Sequence, residues 1–255
     1  MSLTKSLTAF LSAAALSAAI AGCASGSGDG EVIGSDNVST DESSPAQADG
    51  TDEATDDPQD FEVESGFTSG TDSIGTLYTS AGALLTNPNS GLAAYGTQVL
   101  FNLVGANGDV LDTATETVSY IGPGETVPVA PLQIGFELKR KPTKLEVQVV
   151  GEFNADEGPK DTFDKEMSVL TVKKTEITDS DYGRELSGQV TNQTDKVVTD
   201  ANWDCVYLNG KKIVGGASSS IIDPIPPGTT IQFSDTVTID DMPAKSATCR
   251  VLSSY

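Results

Sequence analysis

The sequence predicts an all-β fold made of two antiparallel β-sandwiches in tandem, placed after an N-terminal signal and a tether. Short runs rich in β-branched residues alternate between apolar and polar positions, which is typical of strands with one solvated face. Asn-Gly and Pro-Gly turn signals separate these runs and recur at a spacing of roughly 100 residues, as in an internal duplication. After residue 23 no stretch carries an apolar stripe at helical spacing.

Residues 1–22 have the pattern of a signal peptide. Lys5 precedes an apolar run from Leu7 to Ile20, which is shorter than the roughly 20 residues that a membrane-spanning helix needs. The end of the run, Ile20-Ala21-Gly22-Cys23, resembles the lipobox of bacterial lipoproteins. The resemblance implies that the signal is cleaved and that Cys23 is lipidated with palmitate-type acyl chains, two or more of which anchor a protein stably. Ordinary secretion with a chance cysteine near the cut is the alternative.

Residues 23–57 are predicted to be a disordered acidic linker that begins at the lipidated cysteine. Gly, Ser, Thr, Ala, Asp and Glu dominate the segment, so it lacks the apolar surface needed to offset the entropy of ordering. We expect it to be a spacer between the membrane and the folded part. A role as an acidic lure for a basic or calcium-bearing wall component is the alternative.

The chain is acidic, with a formal net charge of −22, and residues 6–138 contain no Lys or Arg. Nucleic-acid binding is disfavoured because no basic patch is available to neutralise phosphates. Attraction to an anionic bilayer by charge is disfavoured for the same reason.

Two β-sandwich repeats are predicted, at 58–155 and 163–255. Predicted strands include Gln98–Val104 and Lys144–Val150 in the first repeat, and Met167–Val172 and Thr230–Ile239 in the second. The residues that align between the repeats are Asn87 with Asn192, Asn107-Gly108 with Asn209-Gly210, Pro123-Gly124 with Pro227-Gly228, and Pro142 with Pro243. Asn-Gly supplies the positive φ angles of a tight hairpin, and Pro-Gly suits the centre of a type II turn.

The second repeat resembles the FxLYD-type domain, an immunoglobulin-like (Ig-like) module of bacterial and archaeal envelope proteins. The residues that carry the resemblance are Leu186-Ser-Gly-Gln-Val-Thr-Asn192, Val206-Tyr-Leu-Asn-Gly210, Ile213-Val-Gly215 and Pro226-Pro-Gly228. The first repeat follows the pattern more loosely, and neither repeat contains the Phe-x-Leu-Tyr-Asp string itself. The resemblance implies tandem Ig-like sandwiches used for display or contact, and it implies no reaction.

Cys205 and Cys249 are predicted to form a disulfide within the second repeat. An extracytoplasmic compartment permits disulfides, and a redox or metal pair would lack both Cys-x-x-Cys spacing and a histidine. Trp203, two residues before Cys205, is predicted to be a core residue, with a role as a binding aromatic as the alternative.

The sequence predicts no enzyme, no cofactor and no metal site. It contains no histidine, which removes the Ser-His-Asp and Cys-His catalytic sets and the commonest transition-metal ligand. Acidic turns such as Asp179-Ser-Asp181, Asp156-Glu157 and Asp240-Asp241 offer the oxygen ligands that calcium takes. We interpret these turns as solvated, because the EF-hand pattern is incomplete.

The predicted function is that of a non-catalytic interaction or structural module of the cell envelope. The lipid bilayer is the first partner, through acylated Cys23, and this places the chain on the extracytoplasmic face of the cell membrane. The second partner is an envelope protein or a wall polymer. The alternative is a solute- or polymer-binding lipoprotein that delivers its ligand to a transporter or a wall enzyme.

Overall fold

Antiparallel β-strands form all of the regular structure that can be described. The computed structural model describes residues 58–72, 74–154, 167–180, 183–237 and 239–254. The first six strands are β1 (Glu62–Thr71), β2 (Leu77–Thr86), β3 (Ala93–Val104), β4 (Val110–Ile121), β5 (Thr126–Val129) and β6 (Lys144–Asn154). The other six are β7 (Met167–Ser180), β8 (Gly183–Thr191), β9 (Asp200–Asn209), β10 (Lys212–Ile221), β11 (Thr230–Val237) and β12 (Ser246–Ser254). The prediction of an all-β antiparallel protein is confirmed.

The order of strand pairing is the same in β1–β6, here called the first half, and in β7–β12, the second half. In the first half, β1-β2-β5 and β4-β3-β6 are separate three-stranded sheets. In the second half the same two orders recur, joined in one six-stranded sheet of order β10-β9-β12-β7-β8-β11. The boundaries 58–155 and 163–255 for separate domains stay predictions.

Strand β7 joins the two parts of the six-stranded sheet because it pairs with a different neighbour along each part of its length. Its first residues, up to Leu170, pair with β12, and from Thr171 onward it pairs with β8. The register shifts between Lys173 and Glu176, where Lys174 has a φ of 53°. Such an irregularity bends a strand and increases its twist. The sheet therefore curls around its own core.

Each half has its own apolar core. In the second half the stacked rings of Trp203 on β9 and Phe233 on β11, with centroids 5.4 Å apart, join opposite parts of the curled sheet in one core. Trp203 is 2% exposed, which confirms its prediction as a core residue. In the first half Leu85, Phe101 and Leu103 lie in a core shared by the two three-stranded sheets.

A buried asparagine organises the turn region of the first half. Asn87 is fully buried, and its Nδ2 donates to the carbonyl oxygens of Leu92 at 2.7 Å and Gly122 at 3.0 Å. Its Oδ1 accepts from the backbone N–H of Asn89 at 3.0 Å. One side chain thus joins the loop after β2 to the loop after β4.

The second half contains the same arrangement. Asn192 is also fully buried, and its Nδ2 donates to the carbonyl oxygens of Lys196 and Ile225, both at 2.8 Å. Its Oδ1 accepts from the backbone N–H of Thr194 at 3.0 Å. The aligned asparagines therefore have the same structural role in both halves.

The glycines lie in the predicted turns, but one hairpin turn is shifted by one residue. Gly124 and Gly228, in the Pro-Gly turns, have φ angles of 66° and 70°. In the hairpin between β9 and β10, Asn209 pairs with Lys212, so the central residues are Gly210 and Lys211, one position later than the Asn-Gly pair predicted. Gly210, with a φ of 65°, supplies the positive angle that the turn requires.

Candidate binding site at the junction of the two halves

The two halves pack through small residues on β1, β2 and β10. Gly66 and Gly82 are opposite each other on β1 and β2. A Cβ atom on Gly66 would lie 2.0 Å from the carbonyl oxygen of Ile213, and one on Gly82 would lie 2.6 Å from that of Gly215. These distances are far below van der Waals contact, so only glycine fits. Backbones therefore meet here with no layer of side chains between them.

Hydrogen bonds cross this contact. Ser80 Oγ donates to the carbonyl oxygen of Gly216 at 2.8 Å and accepts from the N–H of the same residue at 2.9 Å. Thr68 Oγ1 donates to the carbonyl oxygen of Val214 at 2.6 Å. Polar backbone groups on the free edge of β10 thus find partners in the first half, as buried backbone groups require.

A buried arginine ties the second half to the first. Arg250, on β12, is 7% exposed, and its Nη1 donates to the carbonyl oxygen of Tyr120 at 2.7 Å. Its Nη2 lies 3.3 Å from Oε1 of Glu125, whose other oxygen accepts from the N–H of Gly122 at 2.7 Å. Burial lowers the pKa of Arg250, while Glu125 and Asp204 favour its charged form.

Two carboxylates, one from each half, hold the chain segment that follows β5. Asp204, the cross-strand neighbour of Arg250, accepts from the N–H of Ala130 at 3.4 Å. Glu116, on β4, accepts from the N–H of Leu132 at 2.9 Å. The pKa of Asp204 is raised to about 7, chiefly by burial and also by Glu116, while the Ala130 N–H and Arg250 lower it. Asp204 therefore titrates near neutral pH.

The raised pKa of Asp204 predicts a pH-dependent stability. Because the folded state holds the proton up to about pH 7 and the unfolded state loses it near 3.8, folding is weakened as the pH rises between these values. Asp204→Asn should therefore increase the free energy of unfolding at pH 8, by up to about 4 kcal/mol at 1.36 kcal/mol per pKa unit. At pH 3 it should change little, because the carboxyl group is then largely protonated in both states.

Urea unfolding of the wild type and of Asp204→Asn at the two pH values measures this effect. Asp223→Asn, which removes the same charge from an exposed position, is the control. An equal effect of Asp204→Asn at both pH values would contradict the assignment.

A cavity of about 250 Å³ opens at the junction, beside the small-residue contact. Strand β2 and the segment 131–136 form its wall in the first half. Strands β10 and β11, with Tyr207, Ile239 and Met242, form its wall in the second half. A smaller cavity of about 190 Å³ adjoins it and shares Leu132 and Ser218; Glu116, Asn202 and Asp204 lie in its wall.

Exposed apolar side chains surround the mouth of the larger cavity. Leu132 is 70% exposed and Phe136 is 50% exposed. The ring of Phe136 packs edge-to-face on Tyr78, with centroids 5.2 Å apart. Tyr78 is partly buried, and its pKa is raised by this desolvation and by the nearby carboxylates of Asp72 and Glu137.

The backbone fixes these side chains in place. The carbonyl oxygen of Gly135 accepts from the N–H of Thr79 at 3.0 Å, and the N–H of Gly135 donates to Oδ2 of Asp112 at 2.7 Å. The N–H of Leu138 donates to the carbonyl oxygen of Leu77 at 3.2 Å. Leu132 and Phe136 are therefore presented by a segment that is bonded to β2 and β4.

Asp235 lines the cavity from the second half. It lies between Phe233 and Val237 on β11, at a position where strand alternation places side chains on the core side. Burial raises the pKa of Asp235, and the N–H of Thr236, which donates to it at 2.9 Å, lowers it. Burial raises the pKa of the Tyr207 hydroxyl, and the nearby charge of Asp235 adds to this rise.

Neither cysteine of the predicted disulfide lines these cavities. Cys205 and Cys249 are direct cross-strand neighbours on β9 and β12 and form the predicted disulfide. The bridge joins adjacent strands of one sheet. Cys23, the linker 23–57, Asp156-Glu157 and Asp181 lie outside the described residues.

The described part of the chain shows neither a metal-ligand cluster nor a membrane-spanning helix. It contains no group of three or more Asp, Glu, Cys or His side chains placed to hold a metal ion. It also contains no helix long and apolar enough to cross a membrane.

Asp204, Asp235 and Arg250 were not predicted as functional residues from the sequence. The available signal was a charged residue at a core-facing position of an alternating strand, as in Phe233-Ser-Asp235-Thr-Val237. This signal is weak without the partner strands, because it does not show whether the carboxylate meets a cavity, a cation or solvent.

Comparison with known proteins adds no relative: no protein-family model matches the chain, and a search of curated proteins found no match.

Proposed function

We propose that this protein is a lipid-anchored module on the extracytoplasmic face of the cell membrane that works by contact with another envelope protein and without catalysis. Cys23 is the proposed lipidation site, and the two halves are proposed to be related Ig-like units of the FxLYD type. The observation that carries the contact role is the apolar rim of Leu132 and Phe136, held by backbone hydrogen bonds over the junction. Apolar side chains fixed around a concave site are typical of interaction surfaces.

The small-residue contact supports this role. Because Gly66 and Gly82 bring the halves into backbone contact and the Ser80 side chain bonds across it, the rim on the first half and the wall on the second keep a fixed geometry. A surface that is already ordered loses less conformational entropy when a partner binds. The junction is therefore suited to recognition by a preformed surface.

A photocrosslinking amino acid at position 132 tests the contact in intact cells. We expect one envelope protein to crosslink from position 132 in the full chain. Val150, on β6, is also 70% exposed and is the matched control position, from which that protein should not crosslink. Equal crosslinking from both positions, or recovery of wall polymer in place of a protein, would contradict the proposal.

Metabolic labelling with a palmitate analogue tests the anchor independently. The full chain should incorporate the label and fractionate with membranes. Cys23→Ala should do neither, because it lacks the thiol that accepts the lipid. Labelling that persists in Cys23→Ala would overturn the anchor and leave the contact role standing.

A further inference from the structure

The cavity at the junction has an acidic and aromatic lining. The Asp235 carboxylate reaches it from β11, and within the described residues no cationic side chain forms an ion pair with that carboxylate. Among the described residues, its side chain accepts one hydrogen bond, from the adjacent Thr236 N–H. A cation that binds beside such an unpaired, half-buried carboxylate stabilises its charged form. Its raised pKa has the same origin.

Aromatic rings complete the lining. Tyr78 and Tyr207 border the cavity, and Phe136 stands at its mouth against Tyr78. A cationic group near such rings is attracted to the negative faces of their π-systems. Carboxylate and rings together favour an organic cation over an anion or a neutral polar group.

The size of the cavity favours a single side chain as its occupant over a free small-molecule ligand. Its volume is about 250 Å³. Sites that enclose small-molecule ligands usually have roughly 300–1,000 Å³. One long side chain fills the smaller space, while the exposed Leu132 and Phe136 outside it offer contact area to the rest of a larger partner.

We propose that the cavity receives one lysine or arginine side chain of a partner protein, with Asp235 pairing its charge and Leu132 and Phe136 contacting apolar residues beside it. This inference rests on the proposed function as a contact module and names the chemistry that the partner must present. Glu116, which lines the adjoining cavity, adds negative potential nearby. The net charge of −22 speeds the approach of a cationic partner at low salt.

Two capped tripeptides test the proposal on the full chain in detergent micelles: acetyl-Leu-Lys-Leu-amide and its uncharged counterpart with norleucine in place of lysine. Binding is followed by NMR shifts of the aromatic and methyl signals of the protein. The lysine peptide should bind about tenfold more tightly, because a charge-assisted pair forms in a partly desolvated site. Asp235→Asn should abolish this preference, whereas Asp223→Asn, which removes an exposed charge, should keep it.

Tyr78→Leu is the second variant, and it should reduce the preference for lysine while leaving the norleucine affinity largely unchanged. Equal binding of both peptides, unchanged preference in Asp235→Asn, or no shift at roughly 10 mM peptide would overturn the inference. Binding of n-butylammonium as tight as that of the lysine peptide would also overturn it, in favour of a free solute. A crosslinked envelope partner found despite any of these results would leave the proposed function intact.

Discussion

Replacing Gly66 with alanine is expected to separate the two halves of the protein. The new Cβ atom would lie 2.0 Å from the carbonyl oxygen of Ile213, and a backbone oxygen cannot rotate away as a side chain could. Either β1 or β10 must move, which also breaks the Thr68 and Ser80 hydrogen bonds to β10. Overpacking costs about 1–3 kcal/mol, and each lost buried hydrogen bond about 1 kcal/mol more. We therefore expect a loss of more than about 3 kcal/mol.

Denaturant unfolding and hydrogen exchange measure this effect. The free energy of unfolding should fall, and amides of β1, β2 and β10 should lose protection before those of β3 and β9. Gly91→Ala is the matched control, because its Cβ atom would meet nothing within 4 Å and the residue is exposed. It should be neutral or slightly stabilising. Equal stability of the two variants would show that the halves do not touch at Gly66.

The second large effect is expected from Asn192→Ala. The substitution removes both hydrogen bonds donated to the carbonyl oxygens of Lys196 and Ile225, and the one accepted from the Thr194 N–H. Leaving a buried polar group without a partner costs about 1–3 kcal/mol, so the total should exceed about 3 kcal/mol. Thermal and urea unfolding would show this loss.

Gln232→Ala is the control for this prediction, since Gln232 is an exposed amide on β11 of the same half. It should change the unfolding free energy by less than about 0.5 kcal/mol. Asn87→Ala should resemble Asn192→Ala, because Asn87 makes the corresponding bonds in the first half. Tolerance of alanine at either asparagine would refute the structural equivalence of the two positions.

The features that could be predicted from the sequence are the local ones. Gly124 and Gly228 follow proline in turns that need a positive φ, and this requirement is visible in a dipeptide. Alternation of apolar residues identified β3, β6, β7 and β11, because their faces differ in solvation. The disulfide was predictable because the cysteines in the folded repeats number only two, Cys205 and Cys249.

The junction could not be predicted, because it depends on pairs of residues far apart in the chain. Gly66 and Gly82 within predicted strands indicate a weak strand or the close approach of another backbone. They do not show which strand makes that approach. An arginine such as Arg250 is predicted to be exposed, because charged side chains are rarely buried. Its burial is understood only from its contacts with Tyr120 and Glu125. Asp235 could not be assigned to a cavity whose opposite wall, Tyr78–Ala81 and residues 131–136, is so distant in the chain.

The equivalent face of the second half does not carry the small residues of the junction. Glu185 and Ser187 on β8 occupy the positions that Ser80 and Gly82 occupy on β2, counting from the aligned asparagines Asn192 and Asn87. Repeat proteins need a polar terminal face, since an exposed copy of the stacking surface would recruit another molecule in a head-to-tail contact that does not close. Glu185 is too long and too polar for such a contact. A further copy therefore cannot stack on this face in the same way, which protects the protein from growing into fibres.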